Sequence, residues 1–239
     1  MKIIVCKNYD ELSKKAADII IKLIKEKPNA VLGLATGSTP EGLYKNLSEA
    51  CQNKEISFKD ITTYNLDEYI GISGEHDQSY RYFMDKHLFN NVDIDKNNTY
   101  VANGMAKDLD KECKRYEKLI KDLGYADIQV LGIGQNGHIG FNEPSDKLIK
   151  DTHIEELEES TIKANSRFFE STNDVPKKAI TMGMGSILNA REIILLASGK
   201  SKKEVMKSFN NNEITTSIPA SFIKLHPNVT IIMDEEASN

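Results

Sequence analysis

Asn136, His138 and Glu143 fall within eight residues of one another in the stretch VLGIGQNGHIGFNEP, Val130 to Pro144. An imidazole titrates near pH 6.5, about right for proton transfer at neutrality, and hydrogen-bonding neighbours decide which of its nitrogens carries the proton. A lone loop histidine is most often satisfied by backbone carbonyls. An amide and a carboxylate beside it point instead to general acid/base work. The same stretch reads G-x-G-x-x-G at Gly132, Gly134 and Gly137, directly after an apolar run. A dinucleotide-binding turn with that spacing must run straight into a helix, so that the pyrophosphate rests on the helix N-terminus. Here HIGFNEPSD follows, with Gly140 and Pro144 interrupting any helix. The glycines are therefore read as letting the loop fold back and gather the three polar side chains.

Other residues with chemical capacity also fall at the ends of predicted strands. ATGSTPEG, Ala35 to Gly42, offers a tight turn at Gly37, hydroxyls at Ser38 and Thr39, and the N-terminus of a following helix, with Thr39 as its cap and Pro40 at its first position. Unpaired N–H groups and the helix dipole would receive a phosphate there, although a capped turn without a ligand has the same sequence. No Gly-Lys-Ser/Thr follows, so it is not a Walker loop. NLDEYIG puts Asp67 and Glu68 at another strand end, where a carboxylate could act as a base; an ordinary loop acid is the commoner case. Arg167, in NSRFFE, and Lys202, in SGKSKKE, could hold an anion, but each alone reads as a surface cation, and spacing does not choose Lys202 over Lys200 or Lys203.

These residues need strands and helices to position them. Apolar residues from Leu12 to Ile24 recur at helical spacing behind a capping pair, Asn8 and Glu11, and Pro28 closes the helix. Strands are predicted at Ala30 to Leu34, Asp60 to Leu66, Asp127 to Gly134, Ala179 to Gly185, Glu192 to Ser198 and Asn228 to Asp234. Helices near Ser79 to Asn90, Leu109 to Leu123 and Lys202 to Phe209 separate several of them. This alternation predicts an α/β fold, a mostly parallel sheet with helices on both faces, whose ligands sit beyond the carboxyl ends of the strands. No repeat or linker divides residues 1–239, so one domain is expected. The acidic HIEELEES, His153 to Ser160, lies in a segment, 145–175, that reads either as a lid over the site or as a solvated insertion.

Composition narrows the partners. With 31 Lys and Arg against 36 Asp and Glu, the net charge is −5, and no basic cluster dense enough for nucleic acid or a membrane surface occurs. A small anion is still accessible to a few local cations. Cys6, Cys51 and Cys113 form no C-x-x-C pair, so neither a disulfide framework nor a zinc site is indicated. The opening MKIIVCKNYDELSKK has an apolar run too short for a leader, and no later run approaches a membrane span. A cytoplasmic protein is expected.

The blocks LGLATGSTPEGLY, YNLDEYIGI, LGIGQNGHIGFNEP, NSRFF and ITMGMGSILNAREIILLASGKSK span nearly the whole chain, which through them closely resembles the glucosamine-6-phosphate deaminase (glucosamine-6-phosphate isomerase) family. The resemblance implies a modified doubly wound α/β fold. It also implies conversion of glucosamine 6-phosphate and water to fructose 6-phosphate and ammonia, without metal or organic cofactor. Carried over by position, it makes Asp67 the base that takes the C2 proton and returns it at C1 through an enolamine. His138 would assist opening of the pyranose ring, with Glu143 and Asn136 orienting and tuning it. Gly37, Ser38, Thr39, Arg167 and Lys202 would hold the phosphate.

Three departures stand out. Many relatives carry Asp where this chain has Asn136, whose amide oxygen could accept from the imidazole without bringing a charge. Allosteric relatives place basic residues after NEP to bind an amino-sugar phosphate, where this chain has His153 and Glu155. The chain also ends soon after its last predicted strand. The last two predict no activation by N-acetylglucosamine 6-phosphate and lean towards a monomer, although the sequence does not decide between monomer and homo-oligomer. The nearest rival enzyme is 6-phosphogluconolactonase, whose related Gly-His loop usually lacks the GFNEP continuation, so Glu143 discriminates. A sugar-phosphate-sensing domain of a regulator would carry a DNA-binding module, and no basic helix-turn-helix precedes Ala30 or follows Asp234.

Overall fold

The computed structural model describes residues 1–169, 171 and 174–238. The chain runs β1 (Lys2–Cys6), α1 (Tyr9–Glu26), β2 (Val31–Leu34), α2 (Glu41–Gln52), β3 (Thr62–Asn65), β4 (Asp67–Tyr69), α3 (Tyr80–Met84), β5 (Thr99–Tyr100), α4 (Leu109–Asp122) and β6 (Ile128–Gly132). It continues through β7 (His153–Glu156), α5 (Glu159–Asn165), β8 (Lys178–Thr181), α6 (Met184–Leu188), β9 (Glu192–Ala197), α7 (Lys203–Asn210), β10 (Val229–Asp234) and α8 (Glu235–Ser238).

Seven strands form one sheet in the order β1-β10-β9-β6-β2-β3-β5, every neighbouring pair parallel. Its central strands are nearly continuous apolar runs, such as IILLA in β9 and VTIIM in β10, because helices cover the sheet and leave those residues buried. The predicted capping pair starts α1: the Asn8 side chain accepts the Glu11 N–H (3.0 Å), and the Glu11 carboxylate accepts the Lys7 N–H (2.8 Å). Strands are added outward from β2 through β3 to β5 on one side, and from β6 through β9 to β10 on the other. The direction switches between β2 and β6. There the glycine-containing loops that follow β2 and β6 leave adjacent strands.

A second sheet, β4-β8-β7, is antiparallel and small, and it departs from the sequence reading. AITMGMG was expected as one strand of the main sheet; only its first three residues lie in β8, and Met184 and Gly185 already belong to α6. A short apolar run buried on both faces carries no alternation, so neither its length nor its sheet is written in its periodicity. HIEELEES is also only partly a solvated insertion, since His153–Glu156 form β7, paired with β8 through His153↔Thr181. β1, taken only as a short apolar run, is an edge strand beside β10. Helix α2 begins at Glu41, with Pro40 in its cap position and no side-chain cap bond, so Thr39 does not cap it. No helix among the described residues is long and apolar enough to cross a membrane.

Candidate active site

The carboxyl ends of β2, β3, β6 and β9 face one edge of the sheet, and the chain leaving them lines a cavity of about 680 Å³. This is the switch point, where open α/β sheets leave a crevice between loops that diverge to opposite faces. All the predicted site residues except Glu143 line the cavity, and Glu143 lies directly behind the lining.

Asp67 is positioned by the join of the two sheets. Between β3 and β4, the Leu66 N–H donates to the Leu34 carbonyl (3.1 Å), and its carbonyl accepts the Met182 N–H (2.8 Å). Pairing of Asp67 with Thr181 on β8 then fixes the strand, and the carboxylate faces the cavity. It is 6% exposed. No described residue hydrogen-bonds it. Burial first, then the charge of Glu68, holds its carboxyl well above the usual carboxylate range.

Glu68, the adjacent acid, has another task. Its carboxylate accepts the N–H groups of Tyr69 (2.9 Å), Tyr80 (2.9 Å) and Arg81 (3.0 Å), tying β4 to the first turn of α3. Burial pushes it up to about 7 in spite of those three bonds. With both oxygens engaged by the backbone, it is a structural acid, and Asp67 is the one available for chemistry.

The loop after β6 folds back as its glycines require. The Gly137 N–H donates to the Gly134 carbonyl (3.0 Å), and the Gly134 N–H to the His138 carbonyl (2.9 Å), with Gly137 at φ +90°. That conformation favours glycine. The imidazole lies flat against Gly134, where an added Cβ would be 2.4 Å from ring atoms. His138 Nδ1 is 3.2 Å from Glu143 Oε2, which also accepts the Asn136 side-chain N–H (2.8 Å). A carboxylate only accepts, so Nδ1 carries the proton in the neutral ring, and Nε2 is the nitrogen left for a ligand. Burial pushes Glu143 up, but the hydrogen bond and charge of His138, then the nearby Thr161 hydroxyl and the Asn136 amide, hold it below the usual value.

Asn136 corrects the sequence reading in one respect. Its amide oxygen accepts the backbone N–H of His138 (3.2 Å), not the imidazole, and its amide nitrogen serves Glu143. The donor half of the amide matches the acceptor-only carboxylate, and the imidazole N–H takes the stronger, charged acceptor.

At the other end of the cavity, Gly37, Ser38 and Thr39 leave β2, and Lys202 follows β9. Arg167 comes from the 3₁₀ turn that extends α5. Lys202 Nζ donates to the Ile133 carbonyl. Burial, reinforced by the nearby Arg167 charge, lowers the Lys202 ammonium to about 8. Two cations brought this close repel one another, and an anion between them removes the penalty. Lys200 and Lys203 do not line the cavity.

Three residues were not singled out from the sequence. Tyr80 and Phe141 stack at 5.9 Å, with planes 12° apart, and form an aromatic wall. Thr181 Oγ1 accepts the Phe141 N–H (3.0 Å), joining the His138 loop to the strand that pairs with Asp67. Phe141 lies inside the GFNEP block, but nothing in local spacing shows that Tyr80 lines this cavity or that Thr181 braces its wall from behind. Among the described residues no group of three or more His, Cys, Asp or Glu could hold a metal ion.

Residues 7–232 match the family model described as glucosamine-6-phosphate isomerases/6-phosphogluconolactonase. The chain belongs to this isomerase/lactonase family. Within the family it is 55% identical over 239 residues to a glucosamine-6-phosphate deaminase of Thermoanaerobacter pseudethanolicus, covering 100% of this chain and 94% of that one. A glucosamine-6-phosphate deaminase of Clostridium beijerinckii is 56% identical over 239 residues, covering 100% and 99% of the two chains. Among solved structures, a monomeric glucosamine-6-phosphate deaminase superposes with a TM-score of 0.98 at 49% identity, covering 100% of this chain and 99% of that one. The 6-phosphogluconolactonase of Trypanosoma brucei superposes with a TM-score of 0.79 at 19% identity, covering 99% and 97%, which extends the fold across both branches of the family.

Proposed function

We propose that the chain is a glucosamine-6-phosphate deaminase that converts glucosamine 6-phosphate and water to fructose 6-phosphate and ammonia. The observation that carries this reading is Asp67, a buried carboxylate that no described residue hydrogen-bonds, sharing one cavity with the His138–Glu143 pair and the cationic end. The full-length relatives at 55% and 56% identity support it.

The geometry fits each step. The phosphate binds at Gly37, Ser38 and Thr39 with Arg167 and Lys202, fixing the sugar far from the reacting carbons, so its binding energy serves orientation. His138 Nε2 takes the anomeric O1 proton and returns a proton to O5 as the ring opens, while Nδ1–H stays on Glu143 with Asn136 holding that carboxylate. Asp67 then removes the C2 proton of the open-chain aldose while the C1 oxygen takes a proton from the substrate's own C2 ammonium, giving an enolamine, and the proton held on Asp67 is delivered to C1. The resulting C2 imine takes up water and releases ammonia, leaving the ketose.

The reading extends to regulation and setting. His153 and Glu155, where activated relatives carry cations, bind one another at 3.0 Å, which supports an enzyme not activated by N-acetylglucosamine 6-phosphate. The monomeric relative at 49% identity supports a monomer built from a single domain. Three free cysteines suit a reducing cytoplasm. Of the segment 145–175, α5 and the 3₁₀ turn that carries Arg167 line the cavity and would act as a lid.

An ammonia-release assay with glucosamine 6-phosphate, run beside lactone hydrolysis with 6-phosphogluconolactone, tests the proposal. Ammonia with equimolar fructose 6-phosphate and no lactone hydrolysis is expected. Lactone hydrolysis without ammonia would move the chain to the other branch of its family.

A further inference from the structure

Two buried polar atoms at the edge of the cavity have no partner at hydrogen-bond geometry among the described residues, and they are chemically complementary. Glu143 uses one oxygen twice: Oε2 receives both the His138 ring and the Asn136 amide. Its other oxygen, Oε1, is buried with no partner. The hydroxyl of Thr161, on α5, is likewise buried without one. An ionised carboxylate is among the costliest groups to leave half-satisfied, and a hydroxyl is a donor that can satisfy it. The two residues are neighbours, for the Thr161 hydroxyl is one of the groups that hold Glu143 below its ordinary value. Thr161 itself is 4% exposed, so bulk water is a poor alternative partner for it.

We propose that Thr161 is a positioning residue for ring opening: its hydroxyl donates to Glu143 Oε1 when α5 settles over bound substrate, fixing the carboxylate that orients His138. This rests on the deaminase reading above. Closing that bond locks the carboxylate in one rotamer, so Oε2 stays in line with Nδ1–H and Nε2 stays aimed at the sugar. α5 is placed to couple this to substrate binding, because it runs directly into the 3₁₀ turn that carries Arg167. A phosphate drawn to Arg167 at one end of this segment thus bears on Glu143 at the other. Ser160, Ala164 and Asn165 of the same helix line the cavity between them.

The experiment compares Thr161→Val, which keeps the shape but removes the donor, with Thr161→Ser, which keeps the donor; Thr161→Ala repeats the test without a branched side chain. Wild type and variants are assayed for ammonia release from glucosamine 6-phosphate and from its 5-deoxy analogue, which cannot close a pyranose. Binding of the alditol made by reducing the sugar's C1 aldehyde is measured alongside. For Val and Ala, kcat on the natural substrate should fall about tenfold, the scale of one hydrogen bond to a charged group. KM, alditol affinity and kcat on the 5-deoxy analogue should stay within about twofold of wild type, and Ser should recover most of the loss. An unchanged kcat in Val and Ala, a Ser variant as slow as Val, or an equal loss on both substrates or in alditol binding would overturn the positioning role while leaving the deaminase reading intact. A wild type that releases no ammonia would overturn both.

Discussion

The placement of Asp67 favours chemistry over stability. A carboxyl raised by burial binds its proton more tightly in the folded chain than in the unfolded one. The folded state is therefore favoured at low pH and loses that advantage as pH rises above the unfolded value of about 3.9 towards the raised folded value. At neutrality the ionised form burdens the empty protein, so Asp67→Asn should raise the melting temperature by about 2–4 °C, the shift expected for about 1 kcal/mol in a chain of this size. The same variant should nearly abolish turnover while leaving substrate binding in place; calorimetry and steady-state kinetics on one preparation check both. Lys202 gives a second expectation. Held near 8 by burial and Arg167, it loses its charge as pH rises through that value, whereas a bound phosphate favours the protonated form. Affinity for a sugar phosphate should then weaken between pH 7 and 9, measured by titration calorimetry, and Lys202→Met should remove most of that dependence. These residues were legible as candidates from their company: NGHIGFNEP and DEY give the proposed reacting groups by type and order. Spacing does not reveal that Glu68 turns its carboxylate onto three backbone N–H groups, which follows from β4 meeting α3, or that Asn136 serves Glu143 and not the imidazole, which follows from how the loop folds back.

Elements were legible where they carry periodicity or a clear breaker, and illegible where they are short. α1 with its capping pair, α4, and the apolar strands β2, β6, β9 and β10 all stand where the sequence places them. The strands β4, β5 and β7 span two to four residues each and have no room to show an alternation. Yet β4 and β8 are the elements that hold Asp67 against the His138 loop. That loop is also where a glycine matters most for function. Gly134→Ala would put a methyl about 2.4 Å from the imidazole, a clash that only movement of the ring can relieve. Overpacking of this kind costs about 1–3 kcal/mol. Displacing the ring should lower kcat more than tenfold with little change in KM, while circular dichroism shows the fold retained. A variant as active as wild type would mean that the ring need not lie against Gly134 during turnover.

For the whole molecule, the parallel sheet decides where the chemistry can be, and the loops decide what it is. One architecture, with TM-scores of 0.79 and 0.98 to a lactonase and a deaminase, supports both branches of the family, so fold alone does not choose between them. On the proposed reading, the choice lies in Asp67 sharing the cavity with His138 and its partner Glu143. The reading of a monomer without an activator predicts a hyperbolic rate curve that N-acetylglucosamine 6-phosphate leaves unchanged, and a single monomeric species in sedimentation analysis. The central claim, that Asp67 takes the C2 proton of glucosamine 6-phosphate, is tested most directly by a substrate carrying deuterium at C2. Wild-type protein should remove that label from C2 as ammonia is released, and Asp67→Asn, with substrate still bound, should leave it in place. Loss of the label at the wild-type rate in the Asp67→Asn variant would contradict the account.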